Sequence, residues 1–157
     1  MSASLSVQIA DEVVALLTGA ASGTFTPAIT VARRYAPYVE LAKLTGVQVS
    51  VVPMSKEQIF TGRKFIAADH DIKIVVQSKL AKAEDATAID PLTALVEAIE
   101  EYLAGDDESG QTRRLLPTTK ASLMKLAGPV LYTADLVSSQ TFNADITATY
   151  HTEAAFR

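Results

Sequence analysis

The segment DPLTALVEAIEEYLAG (Asp90–Gly105) restricts the fold more than any other. Asp90 can accept hydrogen bonds from the first free amides of a helix, Pro91 suits the first helical position, and Gly105 can end the helix in a left-handed conformation. Its apolar side chains recur every three or four residues, so one helix face would collect Leu92, Leu95, Val96, Ile99, Tyr102 and Leu103. Such a helix needs an apolar surface to pack on.

Segments on both sides of this helix can supply that surface. A second apolar stripe predicts a helix at Ser4–Thr18, stopped by Gly19. The alternating or β-branched segments predict strands at Phe25–Tyr35, Val47–Val52, Asp71–Leu80 and Gln140–His151. We therefore expect a single α+β domain spanning residues 1–157, with a mostly antiparallel sheet packed against two main helices.

Two of these strands also predict which side chains face the core. In Asp71–Leu80 the alternation turns Lys73, Gln77 and Lys79 outward, and it turns inward Ile72, Ile74, Val76 and Leu80. In Gln140–His151 one face is polar throughout, which is typical of a half-buried antiparallel strand, and the other carries Phe142, Ala144, Ile146, Ala148 and Tyr150. Pro27 suggests that the first strand lies at an edge or holds a bulge.

The remaining segments have weaker patterns. Ala36–Thr45 fits either one helical turn or a loop that carries Leu41 and Leu44 into the core. Met54–Ala68 is polar and is interpreted as a long excursion containing a short strand at Glu57–Thr61. Ala81–Ile89 is expected to be a charged linker. Arg113–Leu126 is expected to hold a short helix that Thr118 or Thr119 caps and Gly128-Pro129 breaks.

Composition excludes several classes of protein. The chain has no cysteine, so disulfides, thiolate metal sites and cysteine nucleophiles are absent, and a reducing cytosol suits it. Its 18 acidic and 14 basic residues give a net charge of −4, which argues against a nucleic-acid binder. The N-terminus has no signal-peptide pattern. The uncharged stretch Val13–Ala32 is better explained by a helix and a strand than by a membrane span.

The sequence predicts no catalytic, metal-binding or cofactor-binding residue. Asp69-His70-Asp71 is the one cluster that suggests a metal, but adjacent strand residues point to opposite faces, so His70 would point away from the two carboxylates. A solvated strand entry is the simpler interpretation. His151 is expected to be a surface histidine. No nucleophile elbow and no phosphate-binding loop is present.

Charged residues offer candidates for contacts between proteins. Glu100, Glu101 and then Asp106, Asp107 and Glu108 crowd the C-terminal end of the predicted helix, where the macrodipole disfavours negative charge. Solubility, a partner surface or a wall that repels anions would each explain them. Arg63-Lys64 is one of three separate basic pairs, and a salt bridge to a neighbouring subunit would suit such a pair.

Four parts of the chain form a familiar series: GTFTPAITVARRYAP (Gly23–Pro37), VQVSVVP (Val47–Pro53), Asp71–Lys79 followed by the helix Asp90–Gly105, and a closing strand after Tyr132. Together these segments resemble the tail terminator proteins of long-tailed bacteriophages. The resemblance covers about Val13–Glu153. The alanine- and lysine-rich stretch Thr118–Gly128 departs from the pattern.

The resemblance implies a structural virion protein and not an enzyme. Such proteins form a hexameric ring at the head-proximal end of the tail tube, stop tube polymerisation and join the tube to the head connector. The implied partners are copies of the chain, the tube protein and the connector or stopper protein. The implied location is the neck of the virion, after assembly in the host cytoplasm. No cofactor and no membrane is implied.

The implied ring must let DNA through its lumen without gripping it. Six subunits at −4 each would carry about −24, which favours passage over binding. Within this hypothesis the residues expected to meet a neighbour or the lumen are Arg63, Lys64, Asp106, Asp107 and Glu108, in Met54–Ala68 and Ala104–Gly110. The alternatives are another neck, head-completion or tail-tube-like protein and, more remotely, a small metal-dependent enzyme that uses His70 or Asp69 and Asp71.

Overall fold

A five-stranded sheet with two helices is formed by the part of the chain that the structure describes. The structure is a computed structural model, and it describes residues 3–36, 39, 43–60, 62–63, 65–80, 86–130 and 141–155, with the backbone alone at 86, 128–130 and 154–155. In chain order the elements are α1 (Leu5–Thr18), β1 (Ile29–Arg33), β2 (Val47–Phe60), β3 (Phe65–Lys79), α2 (Ala86–Ala104), β4 (Ser122–Val130) and β5 (Thr141–Ala155).

The predicted fold class is confirmed. The strand order is β1-β2-β3-β5-β4, and every neighbouring pair is antiparallel except β1 and β2, which are parallel. Both helices contribute apolar side chains to one continuous core on one face of the sheet. This is a mostly antiparallel α+β arrangement.

The core contains the side chains that strand alternation predicts. In β5 all five predicted inward residues are buried, and in the β3 region Ile72, Ile74, Val76 and Leu80 are buried as expected. The opposite face is not fully solvated, however. Gln77, predicted to be outward, is buried there, and its Oε1 accepts a hydrogen bond from the Val39 amide at 2.8 Å. The chain after β1 therefore covers part of this second face.

The first helix follows its prediction closely. Ser4 caps α1, because its Oγ accepts a hydrogen bond from the Val7 amide at 3.4 Å. The apolar stripe buries Ile9, Val13 and Leu17. The helix stops at Gly19, whose amide donates to the Ala15 carbonyl at 2.9 Å. The region Val13–Ala32 thus consists of a helix end, a turn and a strand start.

The second helix begins earlier than predicted. It starts at Ala86, so Asp90 is not its cap and Pro91 lies inside it. Residues 81–85 of the predicted linker lie outside the described part, and residues 86–89 are helical. Pro91 lies in the second turn and is exposed, so its ring removes one amide donor without burying an unpaired group. The predicted apolar stripe is confirmed, with only Tyr102 half-buried.

The predicted excursion Met54–Ala68 is wrong. β2 continues through Pro53 to Phe60, and β3 begins at Phe65 and pairs with it antiparallel, so the two strands form a β-hairpin. A register shift between Pro53 and Ser55 places Met54 as an extra residue. A bulge accommodates a proline without breaking the strand. The predicted short strand is confirmed for residues 57–60, whereas Thr61 lies outside the described residues.

The predicted short helix at Arg113–Leu126 is also wrong. Turns occupy residues 113–114 and 117–119, Leu115 forms an isolated antiparallel bridge with Ser122, and Ser122–Val130 forms the edge strand β4. Thr118 and Thr119 do not cap a helix, since their amides donate to Glu12 Oε1 of α1 at 3.0 and 2.9 Å. Gly128-Pro129 lies within β4, where a register shift between Ala127 and Val130 accommodates it.

The first strand is shorter than predicted and lies at the other edge of the sheet. β1 covers Ile29–Arg33, and Pro27 precedes it, in agreement with the predicted edge position. Of Ala36–Thr45, residues 37–38 and 40–42 lie outside the described part, but Leu44 is buried as expected. Tyr132 also lies outside it. None of the described helices is long and apolar enough to cross a membrane.

Candidate interaction surface

The outer part of the β2–β3 hairpin is exposed along its β2 strand, although Ala67 and Ala68 of its β3 strand are buried. We call residues 54–68 the arm. Residues 47–52 of β2 are buried without exception, whereas residues 54–60 of the same strand are all exposed. The end of β5 pairs with β3 as far as Phe65, so the arm is backed by a third strand.

The arm extends beyond the helices. α1 reaches β3 at His70, whose partner on β2 is Lys56. Four further residues of β2 lie past this point, which corresponds to about 13 Å of strand. The arm is therefore a projection of the sheet whose outer end has no helix against it among the described residues.

Large apolar side chains are exposed at the tip of the arm. Phe60 is 69% exposed, Phe65 54% and Ile59 42%. Paired residues of adjacent strands share a face. Ile59 pairs with Ala67, on the same face as Phe65, whereas Phe60 pairs with Ile66 on the opposite face. The tip thus presents apolar surface on both of its faces.

A buried histidine ties the base of the arm to α1. His70 is fully buried; its Nδ1 lies 2.7 Å from Ser6 Oγ and its Nε2 lies 3.0 Å from Thr152 Oγ1. Thr152 Oγ1 donates to the Ala68 carbonyl, so it accepts from Nε2–H, and Ser6 donates to Nδ1. Burial lowers the pKa of His70, and the nearby Lys56 ammonium lowers it further. The imidazole is thus held neutral.

This environment corrects the sequence interpretation of Asp69-His70-Asp71. The triplet lies in the middle of β3 and is not a solvated strand entry. As predicted, the two carboxylates share a face that His70 does not. Within the described ranges no group of three His, Asp or Glu side chains is placed to hold a metal ion.

The polar face at the base of the arm is a network that joins three strands. Asp71 accepts from Ser55 Oγ at 3.2 Å and from Thr149 Oγ1 at 2.8 Å. His151, on the polar face as expected, lies 2.7 Å from Asp69 Oδ1 through Nδ1 and 3.3 Å from Glu153 Oε1 through Nε2. The hydrogen bond to Asp69 is the main reason that the pKa of His151 is raised.

The predicted acidic residues lie together in the loop after α2. Asp107 Oδ1 accepts hydrogen bonds from the Ser109 amide at 2.9 Å, Ser109 Oγ at 2.6 Å and the Gln111 amide at 2.9 Å. These bonds, that of Ser109 Oγ first, lower the pKa of Asp107. Gly110 has φ +85, which a glycine adopts without strain. Asp106 and Glu108 are exposed on this ordered loop.

Arg113 explains how the end of α2 tolerates so much negative charge. Its Nε donates to the Tyr102 carbonyl and its Nη1 to the Asp106 carbonyl, both at 2.6 Å, and its guanidinium lies 4.0 Å from the Tyr102 ring centroid. A cation at a helix C-terminus offsets the macrodipole. The predicted left-handed conformation of Gly105 is wrong, because this glycine does not have a positive φ. A Cβ at this position would lie 3.0 Å from Arg113 Nη2.

An open groove of about 710 Å³ lies beside this loop. One wall is the end of α1 and the turn after it, with Leu16, Gly19, Ala21 and Thr24; the other is formed by Tyr102, Asp107, Glu108, Ser109 and Arg113. α1 begins near the arm and ends at the groove, and its 14 residues span about 21 Å. The arm and the groove therefore lie at opposite ends of α1.

The candidate residues from the sequence occupy these two ends. Asp107 and Glu108 line the groove and Asp106 lies next to them in the loop, whereas Arg63 is exposed in the turn of the arm. Lys64 lies outside the described residues. The exposed apolar tip was missed, although two phenylalanines flanking the Thr-Gly-Arg-Lys stretch are a hairpin signal.

Comparisons with known proteins give distant structural likeness without a match in sequence. No family model matches the sequence, and no curated protein does. A solved structure that it resembles is the sheath/tube terminator, in its extended state, of PVC, an extracellular contractile injection system. The TM-score is 0.43 and the sequence identity 13%, over 99% of this chain and 58% of that one. The chain therefore spans less than two thirds of the terminator that it distantly resembles.

Proposed function

We propose that this chain is a structural subunit that assembles with copies of itself into a ring at the end of a tail tube and stops the growth of that tube. The proposal is supported by the segments that resemble tail terminators and, above all, by the apolar tip of the arm. Exposed aromatic side chains on a projecting strand are a liability in a monomer, because they promote association. Burial against another protein removes that liability.

A ring requires a particular kind of contact. Two different surfaces of each subunit must meet head to tail and close after a fixed number of copies, and the resemblance gives six as that number. A stable contact of this type buries on the order of 800 Å² per partner. The arm and the groove are two different surfaces that lie at opposite ends of α1, which suits a head-to-tail contact.

Termination requires that the two rims of the ring differ. In the proposed role one rim matches the tube end and the other refuses a further tube ring and meets the head connector. The net charge of −4 per subunit suits a lumen through which DNA passes without being held. The role requires no catalytic residue and no cofactor, and it places the chain in the neck of a virion or a related tail-like particle.

Tube growth in vitro tests this function directly. The tube protein of the same particle is polymerised with and without the purified chain, and tube lengths and end labelling are measured by electron microscopy. We expect shorter tubes with the labelled chain at one end only. A Phe60→Asp variant with an unchanged melting temperature is expected to leave the tubes long. Unchanged lengths with unlabelled ends, given the wild-type chain, would refute the proposed function.

A further inference from the structure

We infer that the arm of one subunit inserts its apolar tip into the groove of a second copy of this chain, between the end of α1 and the acidic loop. The inference deepens the proposed function, because it names the surfaces that meet in the ring. It rests on the shape of the tip, the walls of the groove and the charges on both.

The distribution of apolar surface at the tip favours insertion over flat contact. Phe60 is exposed on one face of the hairpin, and Ile59 and Phe65 are exposed on the other. A partner that covered a single face would leave at least one aromatic ring in water. A groove with two walls can cover both faces at once, and aromatic side chains contribute most when they are fully desolvated.

The groove has the dimensions and the lining that such a tip requires. Its volume of about 710 Å³ lies within the range of roughly 300–1,000 Å³ found for pockets that enclose a ligand. Leu16 and Ala21 offer aliphatic surface on one wall. Tyr102, whose ring lies under the Arg113 guanidinium, donates a hydrogen bond from its hydroxyl to the Leu16 carbonyl at 3.2 Å and so joins the two walls.

The charges of the two surfaces are complementary. Arg63 is exposed beside the tip and forms no ion pair with any residue that the structure describes. Asp107 and Glu108 belong to the wall of the groove that the acidic loop forms. Among the described residues that line the groove the cation is Arg113, and it is already bonded to the carbonyls of Tyr102 and Asp106. The acidic wall of the groove therefore attracts an incoming arginine.

The positions of the two surfaces exclude satisfaction within one chain. The arm leaves the sheet near the start of α1, whereas the groove lies beyond its other end. A stiff hairpin backed by β5 cannot fold back over that distance, so the occupant must be a second copy. Because the two surfaces differ, the contact is heterologous, and it closes into a ring or extends as a filament.

Engineered cysteines test the contact in the full-length chain, which has no cysteine of its own. Phe60→Cys on the tip is combined with Ala21→Cys on the groove wall, and the protein is oxidised at assembling concentration. We expect disulfide-linked ladders on non-reducing gels that end at the ring size. The matched control replaces Ala21→Cys by Met124→Cys, at an exposed position of the edge strand β4, and should give no ladder.

A charge-reversal cycle supplies an independent readout. Arg63→Glu and Glu108→Arg are each expected to weaken self-association by about tenfold, measured by sedimentation velocity or light scattering. The double variant should restore self-association. Both side chains are exposed, so melting temperatures should not change.

Three results would overturn the inference: absence of the cysteine ladder, dimers from Phe60→Cys alone, which would mean tip-to-tip contact, or a chain that stays monomeric at every concentration. These outcomes are distinct from failure of the proposed function. A chain that shortens tubes but gives no ladder refutes only the contact. A chain that gives the ladder but leaves tube length unchanged refutes only the function.

Discussion

The two halves of β2 differ more than any other pair of neighbouring segments in the described chain. Residues 47–52 are buried on both faces, between the helices and the chain that covers the second face of the sheet, whereas residues 54–60 are exposed. The bulge at Met54 separates them. One continuous strand thus has two environments: its first half is buried within the fold, and its second half is exposed to solvent.

The strongest way to break this comparison is to place the same charge in each half. Val49→Asp buries a carboxylate that has no partner among the surrounding aliphatic side chains. We expect a loss of several kcal/mol in the free energy of unfolding, or failure to fold. Ile59→Asp, in the arm, should change it by less than about 1 kcal/mol. Chemical denaturation measures both. Equal losses would mean that the arm belongs to the core.

A smaller difference in the free energy of unfolding is expected between variants of two arginines, one beside the groove and one in the arm. Arg113→Ala removes two hydrogen bonds to carbonyls and a contact with the Tyr102 ring, and we expect a loss of about 1–3 kcal/mol in the free energy of unfolding. Arg63→Ala in the arm should stay within about 0.5 kcal/mol of wild type. The comparison would fail if thermal or urea unfolding ranked the two variants in the opposite order.

The smallest expected effect is the pH dependence at the base of the arm, where His70 and His151 contribute to stability in opposite senses. The lowered pKa of His70 means that the unfolded chain binds this proton more readily, so its contribution to stability falls as the pH drops through the unfolded value near 6.5. The raised pKa of His151 acts in the other sense. Its contribution is present below that value and is lost as the pH rises through the folded pKa.

His151→Gln should therefore expose the His70 contribution alone. We expect stability to fall more steeply below about pH 6.5 in this variant than in the wild type, measured as the urea midpoint at a series of pH values. Ser6→Ala serves as the comparison variant, because it removes the hydrogen-bond partner of His70 Nδ1 and leaves His151 in place. A shallower acid slope in His151→Gln would contradict the assigned environments of the two side chains.

Periodicity predicted the parts of the fold in which one face is apolar and the other polar. The alternation of β5 and the stripes of α1 and α2 identified most of the core residues of those elements, because each element has a single apolar face. Prediction failed where local signals were overridden. Pro53 and Gly128-Pro129 suggested strand ends, but bulges accommodate them within β2 and β4. Pro91 suggested a helix start, but an exposed position in the second turn tolerates it.

The candidate surface was predicted only in part, for a different reason. Sequence alone placed the acidic residues at the end of α2, because they follow that helix directly. It could not show that Arg63 lies at the other end of the molecule, since this depends on the direction of α1 across the sheet. The apolar tip was missed because Phe60 and Phe65 become prominent only when the segment is recognised as a hairpin.

The arm continues the two central strands of the core, because β2 and β3 stay paired from one into the other apart from the bulge at Met54. Its direction in space is therefore set by the right-handed twist of the sheet together with the bend at that bulge. In the proposed ring, the angle between successive subunits, and with it the diameter of the bore, would be a geometric consequence of how the central strands coil.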